Sequence, residues 1–158
     1  MLRQRVITAV LLLVVLLPAV FYPQPVAFAA VATLLIAAGG WEWGRLNQLD
    51  SKGSLAAGLV CGVLCAASLY STGDSVGLGG LWLILTAVWV LGGTWLLARG
   101  AAGWVSVPKA LRCCIGLVCL CAAWLAVTQA RIIGINFLFS VMVLVWVADI
   151  GAYFSGRW

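Results

Sequence analysis

Six apolar runs, separated by short stretches of charged or turn-forming residues, organise the chain. They extend from Val6 to Tyr22, Val26 to Gly40, Leu55 to Tyr70, Leu78 to Ala98, Cys113 to Ala130 and Phe137 to Phe154. Runs of this kind read as membrane helices, and the expected fold is an all-α integral membrane protein with about six transmembrane helices. Several runs fall short of the ~20 residues that cross a bilayer squarely. The second run is expected to continue through "WEWGRL", because nothing there breaks a helix. Pro18, inside the first run, should kink that helix or mark where it leaves the membrane.

Composition turns this pattern into a firm class. Of the 158 residues, 65 % are hydrophobic and 8 % charged, and the mean hydropathy is +1.18. Soluble domains carry about 25 % charged and about 45–50 % apolar residues, so no soluble fold of this size could hide so much apolar surface. The formal charge of +5 arises from nine Lys and Arg against four Asp and Glu. These cations lie in the connectors, as a topology signal does, and not in a basic stripe that would suit nucleic acid. With the N-terminus in the cytoplasm, Arg3, Arg5, Arg45, Lys52, Arg99, Lys109, Arg112 and Arg157 all fall inside, and Arg131 alone falls outside. The expected location is a membrane, crossed several times. "MLRQRVITAVLLLVVLLPAVFYPQP" imitates a signal peptide but lacks a small-x-small cleavage site before Pro23, so it reads as a retained first helix.

The connector over 99–112 contains glycines and a proline that suggest a joint. It divides the chain into N-terminal membrane helices at 1–98 and the start of a second membrane region at 99–158. Gly40 with Gly44, and Gly58 with Gly62, have the small-xxx-small spacing of close helix contacts, which in a chain of eighteen glycines reads as packing. Cys61, Cys65, Cys113, Cys114, Cys119 and Cys121 all lie in or beside apolar runs, and the chain has no His. A zinc site would have to be all-thiolate and inside the bilayer, so these cysteines read as small packing residues.

Chemistry concentrates in the last run. Asp149 interrupts an otherwise apolar helix, eight residues before Arg157, or roughly 12 Å at a rise of 1.5 Å per residue. An ionised carboxylate there costs several kcal/mol unless a partner, a wet cavity or a metal compensates it. Helical phase sets Asp149, Tyr153 and Gly156 in a narrow arc flanked by Ala152 and Arg157, leaving room for an ion or ligand. The plain alternative is that Asp149 simply pairs with Arg157 or another helix's arginine. Glu42, between Trp41 and Trp43 and three residues before Arg45, has the features of an ordinary membrane interface. Asp50 and Asp74 read as solvated loop acids. Without a P-loop, a G-x-S-x-G or any His, serine- or cysteine-type nucleophilic catalysis is excluded, whereas a carboxylate-held metal acting on a phosphate stays open.

The stretch "VADIGAYFSGR" closely resembles the A-D-x-x-A-Y-x-x-G-[RK] segment of bacterial phosphatidate cytidylyltransferases, the CDP-diacylglycerol synthases. "WEWGRL" and the opening "MLRQRVITA" are similar to that family's more weakly. The resemblance implies a CTP-dependent transfer to phosphatidate that yields CDP-diacylglycerol and pyrophosphate and requires Mg²⁺. It also implies a bacterial inner membrane as the location. Carried onto this chain, Asp149 would hold the metal or organise the polar pocket. Tyr153 and Arg157 would support it or face a phosphate. The partners so implied are CTP, phosphatidate and membrane lipid, and a homodimer is left open. Family members read on into a loop rich in Lys, Ser and Pro and a C-terminal signature with further acids. The chain alone is therefore expected to be an incomplete copy without turnover. Two other readings use the same residues: a small non-catalytic membrane protein coupling a cation at Asp149, and a lipid-binding remnant whose basic inner face holds anionic lipid.

Overall fold

A computed structural model of the chain describes residues 2–71 and 78–156. Among them six helices occur in order: α1 (Leu2–Phe21), α2 (Pro25–Leu46), α3 (Ser51–Ser71), α4 (Leu78–Val105), α5 (Lys109–Ile133) and α6 (Ile135–Ser155), with no strand among the described residues. The last five are long and apolar enough to cross a membrane, while the apolar part of α1 is the shorter Val10–Phe21. Large apolar side chains stand outward in number, with Leu34 72 %, Leu83 74 % and Leu97 85 % exposed. Water would not tolerate such a surface and hydrocarbon does. This is an all-α, multi-pass membrane protein.

Local chemistry sets the helix ends. Pro18 lies in the last turn of α1, which stops three residues later, so the proline marks an exit from the helix. α2 opens on Pro25, whose fixed φ and missing N–H suit a first helical position. It runs through Trp41, Glu42 and Trp43 as the pattern predicts, and it is released at Gln48, which adopts a φ of 59°. Asp50 then caps α3: its Oδ1 accepts the Gly53 N–H at 2.9 Å. It is an exposed, solvated acid, as the sequence suggested, and it serves in addition as the helix cap; Asp74 lies outside the described residues. Replacing Asp50 by Ala should cost about 1 kcal/mol of stability, read as a lower melting temperature in detergent. An unchanged melt would show that the cap contributes nothing.

Two expected connectors shrink. The stretch 99–112 is largely helical, because α4 continues past a break at Gly100 (φ 65°, ψ −173°) to Val105, and α5 begins at Lys109. Only Ser106, Val107 and Pro108 remain between them. Likewise "RIIGIN" reduces to Gly134, whose φ of 156° is open to glycine.

The helices form two compact units, each described by its own contacts. One comprises the described residues up to Ala32 and from Trp124 onward; the other comprises Thr33–Ala123. In the first, Val20, Phe28, Ala130 and Leu138 are buried together, with Leu16, Val127, Phe139 and Met142 packed around them. Phe21 and Phe139 meet with ring centroids 6.0 Å apart. Trp124 is buried and its indole N–H donates to the Ala29 carbonyl at 3.4 Å. Arg131, only 7 % exposed, donates from Nε to the Val20 carbonyl at 2.8 Å and from Nη2 to the Tyr22 carbonyl at 2.6 Å. It thereby satisfies carbonyls that the end of α1 leaves without helical partners.

The second unit is held by backbone approach. A Cβ on Gly44 would lie 2.8 Å from Ser54 Cα, and one on Gly58 would lie 2.7 Å from the Ala37 carbonyl oxygen. The glycine spacing on α2 and α3 is therefore packing, and it sets how closely these two helices approach. Gly116 on α5 receives the Trp43 indole so closely that a Cβ there would overlap the ring. Trp43 is further fixed by donation from its Nε1 to the Arg112 carbonyl at 3.2 Å and by a tilted contact with Trp104 at 6.4 Å.

Candidate functional site

The polar face predicted for the sixth helix exists on α6. Asp149 and Tyr153 are one turn apart on a continuous helix, so their side chains leave the same side of it. Both are exposed, Tyr153 at 62 %, and the Tyr153 ring meets Phe154 edge-on at 5.5 Å. Asp149 has no ion pair among the described residues. Gly156 caps the helix, its N–H donating to the Ala152 carbonyl at 2.9 Å, and the Ser155 hydroxyl donates to the Gly151 carbonyl at 2.9 Å. Arg157 lies outside the described residues. Within them, α6 therefore presents a carboxylate and a phenol side by side on a surface otherwise apolar.

The acid at the "WEW" edge behaves differently. Glu42 Oε1 pairs with Arg45 at 3.3 Å, both side chains being about half exposed. The Arg45 guanidinium also lies 5.0 Å from the Trp41 ring centroid. This is an exposed pair one turn apart, worth a few tenths of a kcal/mol at most. Glu42 is occupied by its neighbour and belongs to the helix surface. Near it, Lys109 Nζ donates to the Gln48 carbonyl at 2.5 Å, tying the start of α5 to the turn after α2. Arg112 Nε is buried with no hydrogen-bond partner among the described residues.

The cysteines make no disulfide. Cys61 and Cys65 are buried one turn apart on α3, with Cys121 of α5 against both. Among the described residues no group of three or more His, Cys, Asp or Glu could hold a metal ion. These thiols fill space between helices.

Arg131 is the residue whose importance sequence reasoning missed. It looked like a lone cation on the outer side, and the structure buries it. The one available signal was its place at the end of an apolar run without any acid nearby, which is costly unless other acceptors take its N–H groups.

No solved structure matches the chain. Curated proteins do, among them two named phosphatidate cytidylyltransferase. The Pseudomonas aeruginosa protein is 34 % identical over 168 residues, covering 99 % of this chain and 58 % of its own length. The Haemophilus influenzae protein is 31 % identical over 178 residues, covering 99 % of this chain and 61 % of its own length. The chain thus spans about six tenths of the length of the curated relatives it matches. The cytidylyltransferase family model matches residues 3–158, almost every residue, including both the "WEWGRL" and "VADIGAYFSGR" stretches. By sequence, this chain belongs to the cytidylyltransferase family.

Proposed function

We propose that the chain serves a CTP:phosphatidate cytidylyltransferase of a bacterial inner membrane. The observation that carries this reading is the family match over 3–158, with its polar segment falling on the exposed face of α6. In the proposed reaction a phosphate oxygen of phosphatidate attacks the α-phosphorus of CTP. A new P–O bond forms as the bond to the β-phosphate oxygen breaks, and pyrophosphate leaves. One substrate is itself the nucleophile, so the protein needs no covalent intermediate. Its task is to align two anions and offset their charge.

Asp149 organises the polar pocket in this scheme. Tyr153, one turn on, offers a hydroxyl to a phosphate oxygen, and the resemblance gives Arg157 a phosphate to face. Magnesium, the cofactor that the resemblance implies, finds no ready-made site. Among the described residues no group of three or more His, Cys, Asp or Glu gathers around Asp149, and an octahedral ion wants six oxygens. The ion is assigned no step, and Asp149 enters the scheme as a carboxylate alone.

A chimera tests it. This chain replaces the matching stretch of the P. aeruginosa relative, and membranes holding the chimera receive CTP labelled in the cytidine together with phosphatidate. The expected result is label in the lipid phase, dependent on phosphatidate. A chimera present at the relative's own level that transfers no label overturns the proposal.

A further inference from the structure

The first compact unit contains an open cavity of about 590 Å³, lined among others by Arg131, Asn136, Phe21, Ile133 and Phe137. Three features make it suited to an anion. The first is Arg131 itself. It is a nine-tenths-buried cation with no carboxylate within ion-pair distance among the described residues. Two of its five N–H groups are given to the Val20 and Tyr22 carbonyls. Its remaining donors have no hydrogen-bonded protein acceptor among the described residues, and the residue lines the cavity.

The second feature is the start of α6, a helix of 21 residues. Its N-cap is Gly134, which has no side chain to accept the first amides, and the first regular bond runs from Leu138 N–H to the Gly134 carbonyl. The amides of Ile135, Asn136 and Phe137 are thus left at the positive end of the helix dipole. No acidic residue occupies that first turn. The third is Asn136, a polar residue in the same lining. Arg131, the first residues of α6 and Asn136 line one depression, and no ion pair among the described residues answers Arg131.

The walls say what carries the anion. Phe21, Pro23, Ile133, Ile135 and Phe137 surround the polar groups with apolar surface, as suits a charged headgroup whose tails stay in hydrocarbon. Arg131 lies near the end of α5, opposite the Lys109 end. The positive-inside count puts that end at the outer face. We propose that this cavity binds the phosphate of an anionic phospholipid headgroup in the outer half of the membrane, separate from Asp149 and independent of the transfer reaction. The lipid bridges the α1 end, the α5 end and the α6 start.

The test is native mass spectrometry of the protein released from nanodiscs containing equal phosphatidylglycerol and phosphatidylcholine. The wild type should retain one phosphatidylglycerol with about tenfold preference, a difference large enough to measure. Arg131→Ala removes a helix cap as well and can fail to fold, so the decisive variant is Asn136→Asp. A carboxylate in the first turn favours the helix but repels a bound phosphate. The expected outcome is therefore an unchanged or higher melting temperature with the preference for one phosphatidylglycerol gone. Retention unchanged in Asn136→Asp overturns the proposal, because the basic inner-face residues would then account for the lipid. Inorganic phosphate displacing the phosphatidylglycerol at equal concentration also overturns it, since a lipid site gains affinity from the apolar walls.

Discussion

Substituting Gly116 by Ala should lower the stability of this protein by about 1–3 kcal/mol, and Gly116→Leu by more. The reason is geometric. A Cβ at this position would overlap the Trp43 indole, and the ring has little freedom to move. It donates to the Arg112 carbonyl at 3.2 Å and packs on Trp104. Relief would have to break that hydrogen bond or part α5 from α2. The comparison that isolates the effect is Gly92→Ala or Gly93→Ala on α4, where a Cβ meets nothing within 4 Å. Those two should be neutral or stabilising by up to about 1 kcal/mol, since glycine is the poorer helix former. Melting in detergent, followed by tryptophan fluorescence, checks both. Trp43→Leu should relieve much of the Gly116→Ala penalty, because residues in contact do not contribute independently. Equal melts for Gly116→Ala and Gly92→Ala would refute the packing account.

In the chimera that tests the transfer reaction, Asp149→Asn should reduce label incorporation by on the order of 10²-fold or more. Asparagine keeps the shape and removes the charge, so the loss reports the carboxylate and not the space it fills. Tyr153→Phe should cost less, because it removes one hydroxyl that a water can partly replace. Asp149 is exposed and makes no ion pair among the described residues. Removing its charge should therefore leave the melting temperature unchanged or raised, as expected for a carboxylate on an apolar helix. Full activity in Asp149→Asn would remove this residue from the proposed site. A fall in activity matched by a fall in stability would assign it a structural role instead.

Much of the architecture was legible without coordinates because its cause is local. An apolar run in a chain with so few charges has one way to satisfy its backbone in hydrocarbon, the helix. That single constraint predicts the helices and places Asp149 and Tyr153 on one face by the 3.6-residue period alone. The continuation of α2 through "WEWGRL" and the pairing of Glu42 with Arg45 come from the same short-range rules. The loop predicted at 99–112 failed for a related reason. Gly100 can break a helix without ending it, and the choice depends on the residues beyond the glycine as well as on the glycine itself.

Contacts between residues far apart in the chain were another matter. Arg131 read only as the one cation falling outside, yet it closes the end of a helix more than a hundred positions earlier. Trp43 read as an interfacial belt residue, yet its ring occupies the space that Gly116 leaves open. No short window of the chain contains both members of either pair, and a hydrogen bond or a close packing contact requires both. Residue pattern was enough to establish that the chain lives in a membrane as helices, and that one acid and one phenol share a face of α6. Which cation is buried, and which depression gathers donors without an acceptor, depend on distances between helices that local preference does not encode.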